Sequence, residues 1–231
     1  MKTVGIVGGL GPESTIEYYR LLIASYQKRA GAKELPSILI NSVDVYRGLA
    51  FLDANQPDLL ADYLAEAIRR LADAGADFAI ISANTPHLVF DKVQAKSSIF
   101  IISIVEAACA EAKARGIERI GLLGTRFTMQ ARFYPDIFSR EGITVVIPSE
   151  NEVDYIHEKY INELLKGICL PATRDELMRI IQRMKEEDRI EAVLLAGTEL
   201  PLILTENTVG GVPLLDTTKI HVEAAVNRLL E

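Results

Sequence analysis

The chain has 231 residues, of which 49% are hydrophobic and 25% are charged. These proportions are typical of a globular protein and exclude disordered, collagen-like and coiled-coil chains. The formal net charge of −7 argues against general nucleic-acid binding, which requires a basic surface.

No apolar run reaches the roughly 18 residues that a membrane helix needs. The first apolar run, Val4–Val7, is followed at once by glycines, which is typical of a buried strand and not of a secretory signal. We therefore expect a cytoplasmic protein without a membrane partner. Cys109 and Cys169 lie far apart and outside any CxxC pattern, so we predict neither a disulfide nor a zinc site.

Short apolar segments rich in β-branched residues alternate with segments of helical periodicity. Several are apolar on both faces, as are strands of a parallel sheet that helices cover on both sides. The clearest helix begins near Pro57, and the last helix, Thr217–Leu230, is expected to pack back on the first half of the chain. The predicted strands are Thr3–Val7, Ser37–Ser42, Phe78–Ile81, Ile99–Ile101, Arg119–Leu123, Thr144–Ile147, Ala192–Leu195 and Pro213–Leu215.

The two halves of the chain resemble each other. VGIVGG at Val4–Gly9 is similar to IGLLGT at Ile120–Thr125, and ADFAIISANTPHL at Ala76–Leu88 is similar to IEAVLLAGTELPL at Ile190–Leu202. This repetition predicts an α/β protein of two duplicated Rossmann-like (flavodoxin-like) units, each with a mostly parallel four-stranded sheet. We place residues 1–100 with 208–231 in the first unit and residues 101–207 in the second. Ligands of such sheets bind outside the carboxyl ends of the strands, so we expect the active cleft between the units.

The first glycine-rich loop is one residue short of a dinucleotide-binding fingerprint. Gly9-x-Gly11-x-x-Ser14 has serine in place of the third glycine, and Asp44 lies too far along the chain to bind a ribose. Pro12 suits the first turn of a helix. The loop therefore predicts a helix N-terminus that binds a carboxylate or a phosphate near Gly9, with no nicotinamide cofactor.

The turns after the third strand of each half carry a more specific pattern. They read Ala83-Asn84-Thr85-Pro86-His87 and Ala196-Gly197-Thr198-Glu199, beside GGLGPEST at Gly8–Thr15, GTRFTM at Gly124–Met129 and LDTTKIH at Leu215–His221. This chain resembles the aspartate/glutamate racemase family, the cofactor-independent amino-acid racemases, over essentially its whole length. The hallmarks of that family read Cys-Asn-Thr-x-His and Gly-Cys-Thr-Glu.

The resemblance implies that both catalytic cysteine positions are inert here, because Ala83 and Gly197 stand in their places. Racemisation needs one group to remove the α-proton and a second to protonate the opposite face, and neither alanine nor glycine can do so. His87 and Glu199 are possible substitutes as acid and base. Alternatively, they orient the neighbouring loop or the ligand, since the family carries both beside its cysteines.

The remaining site predictions concern ligand binding. The resemblance favours Asn84, Thr85, Thr125 and Thr198 as donors to an α-carboxylate. Arg47 and Lys166 are expected to bind a second carboxylate. Lys166, at the end of a predicted helical segment Tyr155–Leu165, could instead stabilise that helix end in solvent.

Two further histidines are assigned structural places. We expect His157 on a solvated helix face and His221 as a cap or packing residue, and no metal site is predicted.

The sequence thus predicts a cofactor-free isomerase acting on a small acidic amino acid such as aspartate or glutamate. The alternatives are a binding protein for an amino acid or dicarboxylate, and a lyase on the same fold. A homodimer is expected.

Overall fold

The structure is a computed structural model and describes residues 2–231. Its strands are β1 (Thr3–Gly8), β2 (Ser37–Ser42), β3 (Phe78–Ile81), β4 (Phe100–Ile102), β5 (Arg119–Gly124), β6 (Thr144–Val146), β7 (Ala192–Ala196), β8 (Thr208–Val209) and β9 (Val212–Asp216). Its α-helices are α1 (Pro12–Ala30), α2 (Val45–Asp53), α3 (Pro57–Asp73), α4 (Phe90–Lys96), α5 (Ile104–Ala114), α6 (Arg126–Gln130), α7 (Phe133–Arg140), α8 (Glu150–Asn162), α9 (Pro171–Asp188), α10 (Leu200–Ile203) and α11 (Thr217–Leu230). Short 3-10 helices lie at Thr85–Val89 and Leu164–Lys166.

The chain divides into two compact units. The first comprises the residues up to Ile104 together with Thr218–Glu231, and the second is Val105–Thr217. No helix within residues 2–231 is long and apolar enough to cross a membrane.

The first unit is a parallel sheet in the order β2-β1-β3-β4, covered on both faces. Alternate residues of β1 point to opposite sides, as a strand dictates: Val4 and Ile6 pack with α1 and α11, whereas Val7 packs with α3. Helix α3 begins at Pro57, as predicted, and its buried face consists of Leu60, Ala61, Leu64, Ala67, Ile68 and Leu71.

The second unit repeats this arrangement. Its parallel strands follow the order β6-β5-β7-β9, which matches β2-β1-β3-β4 of the first unit position by position. Leu123 of β5 and Val193 and Leu195 of β7 pack in one cluster with residues of α8 and α9. The predicted duplicated α/β fold is confirmed.

Three sequence predictions about this fold need correction. The second sheet has five strands, because the two-residue β8 pairs antiparallel with β9. The strand near position 213 belongs to the second unit, since Val193 of β7 pairs with Leu214, so the chain returns to the first unit after Thr217 and not after residue 207. The earlier crossing follows Ile104 and not residue 100, because β4 completes the first sheet. β8 is too short to show any periodicity.

Candidate active site

The loop after β1 is shaped by two glycines that lack room for a side chain. A Cβ on Gly8 would lie 2.5 Å from Thr15 Cγ2, and one on Gly9, whose φ is +78°, would lie 2.1 Å from the Val43 carbonyl oxygen. The Gly9 amide donates to Thr15 Oγ1 at 2.8 Å. This amide, predicted to bind a carboxylate, is therefore already engaged within the loop.

The turn after β3 is bound to the β1 loop and to β1 itself. Ser14 Oγ donates to the carbonyl oxygen of Ser82 at 3.0 Å, and Ser82 Oγ donates to the carbonyl oxygen of Val7 at 2.9 Å. Ser14, which replaces the third glycine of the dinucleotide fingerprint, thus connects α1 to this turn. Ala83 and Asn84 follow, both buried, and their predicted roles stay predictions.

His87 is fully committed to backbone groups of its own unit. Its Nδ1 lies 3.0 Å from the Ala83 carbonyl oxygen, which can only accept, so Nδ1 carries the proton. Nε2 is then an acceptor, and the amide of Ile104 donates to it at 3.3 Å. Burial, together with the neighbouring His221, lowers the pKa of His87 to about 3. The ring is neutral and both of its nitrogens are hydrogen-bonded, so His87 holds the turn in place and is a poor candidate for an acid or base.

His221 is likewise buried and neutral. Its Nε2 donates to the Ile102 carbonyl oxygen at 2.9 Å, and Nδ1 accepts from the Tyr18 hydroxyl at 2.8 Å. Burial lowers its pKa to about 4. The predicted packing role is confirmed.

The turn after β5 begins the short helix α6. Thr125 is its N-cap: Oγ1 accepts from the Thr128 amide at 3.2 Å and lies 3.2 Å from Thr128 Oγ1. The next amide, Arg126, donates to Nδ1 of His157 at 3.3 Å. His157 is half-buried and supports this turn, so its predicted place on a solvated helix face is wrong.

The turn after β7 contains the second vacated cysteine position. A Cβ on Gly197 would lie 2.4 Å from Tyr160 Cε2 and 3.0 Å from the Tyr160 hydroxyl oxygen. Tyr160 comes from α8 and is only 5% exposed. The ring of Tyr160 therefore fills the space that a side chain at position 197 would need.

Glu199 lies beside this filled space. It is 2% exposed, and its Oε2 accepts from the Tyr160 hydroxyl and, at 2.9 Å, from Thr198 Oγ1. Burial and the Glu199 carboxyl group raise the pKa of Tyr160 well above its ordinary value, so the phenol stays protonated. The structure thus brings together Thr198 and Glu199, both predicted, with Tyr160, which the sequence analysis missed. No local signal links Tyr160 to the turn, because the two are adjacent only in the folded chain.

The two cations predicted to bind a distal carboxylate lie in separate units. Arg47, in α2, has its guanidinium carbon 4.9 Å from the Tyr63 ring centroid. Arg47 lines a groove of about 510 Å³. Among the described residues that line this groove, no other was predicted as a site residue. Asp44 is the N-cap of α2 and accepts from the Tyr46 amide at 2.8 Å. The groove is lined by Ser42, Val43, Asp44, Arg47, Phe51, Leu59, Asp62, Tyr63, Glu66, Ala67 and Arg70.

Lys166 belongs to the second unit and is exposed. It ends the 3-10 helix Leu164–Lys166, before Gly167 in the left-handed region. The predicted helix Tyr155–Leu165 is therefore wrong in its end, since α8 stops at Asn162 and the chain tightens into a separate turn.

Neither cysteine is equipped to replace the missing thiols. Cys109 is buried and Cys169 is exposed, and both are free. Burial raises the pKa of the Cys109 thiol, and partial burial of the sulfur raises that of Cys169 although the residue is exposed, which disfavours the reactive thiolate. Within residues 2–231 no group of three or more His, Cys, Asp or Glu side chains is arranged to hold a metal ion.

Two α/β units with the same strand order, each ending its central strands in polar turns, define a protein of the duplicated racemase class. The chain belongs to the Asp/Glu/Hydantoin racemase family, whose sequence profile matches residues 7–225. This membership places it among the isomerases, as the sequence predicts.

Individual relatives agree with this assignment. The chain is 23% identical to the broad specificity amino-acid racemase RacX of Bacillus subtilis (strain 168), over 98% of each chain. An aspartate racemase homologue from Pyrococcus horikoshii OT3 is 32% identical with a TM-score of 0.85, covering 100% of both chains. The aspartate racemase of Picrophilus torridus shares the fold, with 22% identity and a TM-score of 0.79 over 99% of this chain and 94% of that one.

Proposed function

We propose that this protein is a cofactor-independent isomerase of small acidic amino acids that moves the α-proton without a thiol. The carboxylate of Glu199 takes over the proton transfer that the second cysteine performs in the family. The observation that carries the proposal is the buried Glu199 carboxyl group, two residues from the inert Gly197 and held by two hydroxyl donors.

The residues that bind the ligand in this proposal are those that the family resemblance names. For the α-carboxylate we keep Asn84, Thr85, Thr125 and Thr198 as candidate donors. Lys166 and Arg47 are each kept as a candidate partner for a second carboxylate, which favours aspartate or glutamate over neutral amino acids. These assignments explain why the turns are retained although both thiols are lost.

Glu199 is a better candidate for the base than His87. Both His87 ring nitrogens already bond to backbone groups, and its low pKa keeps it neutral at physiological pH. Protonation at Nε2 would break the bond from the Ile104 amide. A carboxylate, by contrast, keeps acceptor capacity beyond the bonds it already makes.

With alanine at position 83, the first unit offers no side-chain acid or base there. The proton then returns mostly to the face from which it left, and inversion depends on water as the second donor. We therefore expect α-proton exchange to be faster than racemisation.

The test is incubation of the protein with L- and D-aspartate and L- and D-glutamate in D2O. Loss of the α-proton signal by ¹H NMR reports exchange, and chiral chromatography reports inversion. The proposal requires exchange of at least one of these amino acids by the unaltered protein and its loss in Glu199→Gln.

The competing hypothesis is a binding protein that holds the amino acid without turning it over. It predicts that these ligands raise the melting temperature while no α-proton exchanges, in both the unaltered protein and Glu199→Gln. That result would overturn the catalytic proposal.

A further inference from the structure

Tyr160 occupies the place of the missing thiol in the second unit. Its hydroxyl oxygen lies 3.0 Å from the position of a Cβ at residue 197. The phenol oxygen therefore lies beside residue 197, the position at which the family resemblance puts the second thiol. Because the ring lies so close, even the methyl group of an alanine at position 197 would not fit beside it. Glycine at 197 and tyrosine at 160 are therefore sterically compatible.

The Tyr160 hydroxyl is also hydrogen-bonded to a group that can accept its proton. The Tyr160 hydroxyl donates to Glu199 Oε2, and Thr198 Oγ1 donates to the same oxygen, which orients the carboxylate. A phenol that donates its hydrogen in one direction still has lone pairs to accept in another. The raised pKa of Tyr160 means that this hydrogen stays on the phenol oxygen at rest.

Tyr160 is buried together with Thr198, a residue of its own unit that the family resemblance assigns to the ligand. Tyr160 is 5% exposed and Thr198 is 4% exposed. An environment that excludes water strengthens each hydrogen bond in the group.

We propose that Tyr160 and Glu199 form a proton relay in place of the second cysteine, with the Tyr160 oxygen as the group that meets the α-proton. The Cα–H bond breaks, and its electron pair stays on the α-carbon, delocalised into the carboxylate. The phenol oxygen takes this proton as its own hydrogen passes to Glu199 Oε2. Reversal of the same two transfers restores the amino acid, and deuterium enters the α-position when the proton received by the Tyr160 oxygen exchanges with solvent before the reversal.

The relay rests on the proposed function and assigns its proton-transfer residue. It predicts that loss of the Tyr160 oxygen lowers the rate of proton transfer without weakening ligand binding. Tyr160→Phe keeps the ring that fills the space beside Gly197 but removes the oxygen, so ligand binding is retained while proton transfer is lost.

The experiment compares the α-proton exchange rate and the ligand dissociation constant of the unaltered protein, Tyr160→Phe, Glu199→Gln and Tyr155→Phe. Tyr155 is the matched control, since it is a tyrosine of the same helix, half-buried, that contacts Lys159. We expect Tyr160→Phe to lower the exchange rate by about 100-fold or more, the usual contribution of a positioned acid or base. Its dissociation constant should change less than about threefold, and Tyr155→Phe should match the unaltered protein.

The outcomes separate the relay from the proposed function. If Glu199→Gln abolishes exchange while Tyr160→Phe retains it within about threefold, the relay is wrong and Glu199 acts directly. If Tyr160→Phe loses binding and exchange in parallel, Tyr160 only shapes the site, and the relay is again overturned. If the unaltered protein binds the amino acid without any exchange, both the relay and the proposed catalysis fail.

Discussion

At the scale of single residues, Gly197 and Tyr160 are a matched pair. The glycine is not required by its backbone angles, since its φ lies outside the left-handed region, but by the ring that stands 2.4 Å from its Cβ position. The Tyr160 ring cannot easily move aside, because it is buried and its hydroxyl is bonded to Glu199. A cysteine restored at position 197 would meet the same ring, so the thiol cannot be regained without shortening Tyr160.

Gly197→Ala should lower the free energy of unfolding by about 1–3 kcal/mol, the usual cost of inserting an atom into a packed site. In a Tyr160→Ala background the ring is absent, so most of this cost should disappear. Urea unfolding of the two single variants and the double variant measures this coupling. An equal cost in both backgrounds would contradict the packing argument.

Gly48→Ala is the matched control. Its Cβ would meet Leu60 Cδ1 at 3.7 Å, an ordinary contact, and the residue lies within α2. Because alanine favours a helix over glycine, we expect it to raise the free energy of unfolding by about 0.5–1 kcal/mol.

At the scale of secondary-structure elements, α11 is the helix that completes the first unit from the far end of the chain. Val222, Ala225, Val226 and Leu229 pack in the cluster that contains Val4 and Ile6 of β1. Helix α11 thus covers this face of the sheet together with α1. The sequence analysis expects this return, and the physical reason is that the apolar residues of the last helix need a partner to bury them.

Two adjacent leucines of α11 test this packing. Leu229 is 4% exposed, whereas Leu230 is 38% exposed. We expect Leu229→Ala to lower the free energy of unfolding by about 2–4 kcal/mol, as for other buried leucines. Leu230→Ala should cost less than about 1 kcal/mol, because it leaves no comparable cavity. Equal losses in chemical denaturation would mean that the helix does not use this face.

At the scale of the whole molecule, acid stability depends on two buried histidines of the first unit. Burial is the main cause that lowers the pKa of His87 to about 3 and of His221 to about 4. A histidine of the unfolded chain has a pKa of about 6.5. Between this pH and the low pKa values of the folded state, the unfolded chain therefore binds more protons than the folded one. Stability therefore falls as the pH falls through this window.

From pH 6.5 to pH 5.0, each histidine should remove about 1.5 kcal/mol from the free energy of unfolding. Urea titrations at both pH values measure the loss for the first unit. His221→Gln should show about half the loss of the unaltered protein, although it starts from a lower stability. If His221→Gln lost as much free energy of unfolding between the two pH values as the unaltered protein, or if the unaltered protein lost none, the histidines would not stay neutral in the folded state.

Apolar periodicity predicts the α/β class and the duplication. It also predicts seven of the strands to within a residue or two at their ends. The pattern succeeds because a parallel sheet covered on both faces leaves a direct trace in sequence. The eighth predicted strand also exists, but as β9 it belongs to the second sheet. Which unit a strand joins depends on pairing partners, which periodicity does not encode. The predicted cleft between the units and the predicted homodimer stay predictions.

The site was predictable to the extent that its residues lie in the turns themselves. The motifs identify Asn84, Thr198 and Glu199, and by the family resemblance they predict that Ala83 and Gly197 stand at the two thiol positions. The motifs identify His87 as well but carry no information on its hydrogen-bond partners, so it is a possible base until its two backbone partners are known. His157 was misplaced for the same reason, since its partner is the amide of Arg126 on another element.

The amino-acid sequence by itself determined the family and the repeated fold, because these are properties of residue identity and local order. Only the tertiary structure decided which groups remain available for chemistry. Hydrogen-bond partners and excluded volume are set by elements distant in the chain, and these neutralise His87 and bring Tyr160 from α8 against Gly197 and Glu199.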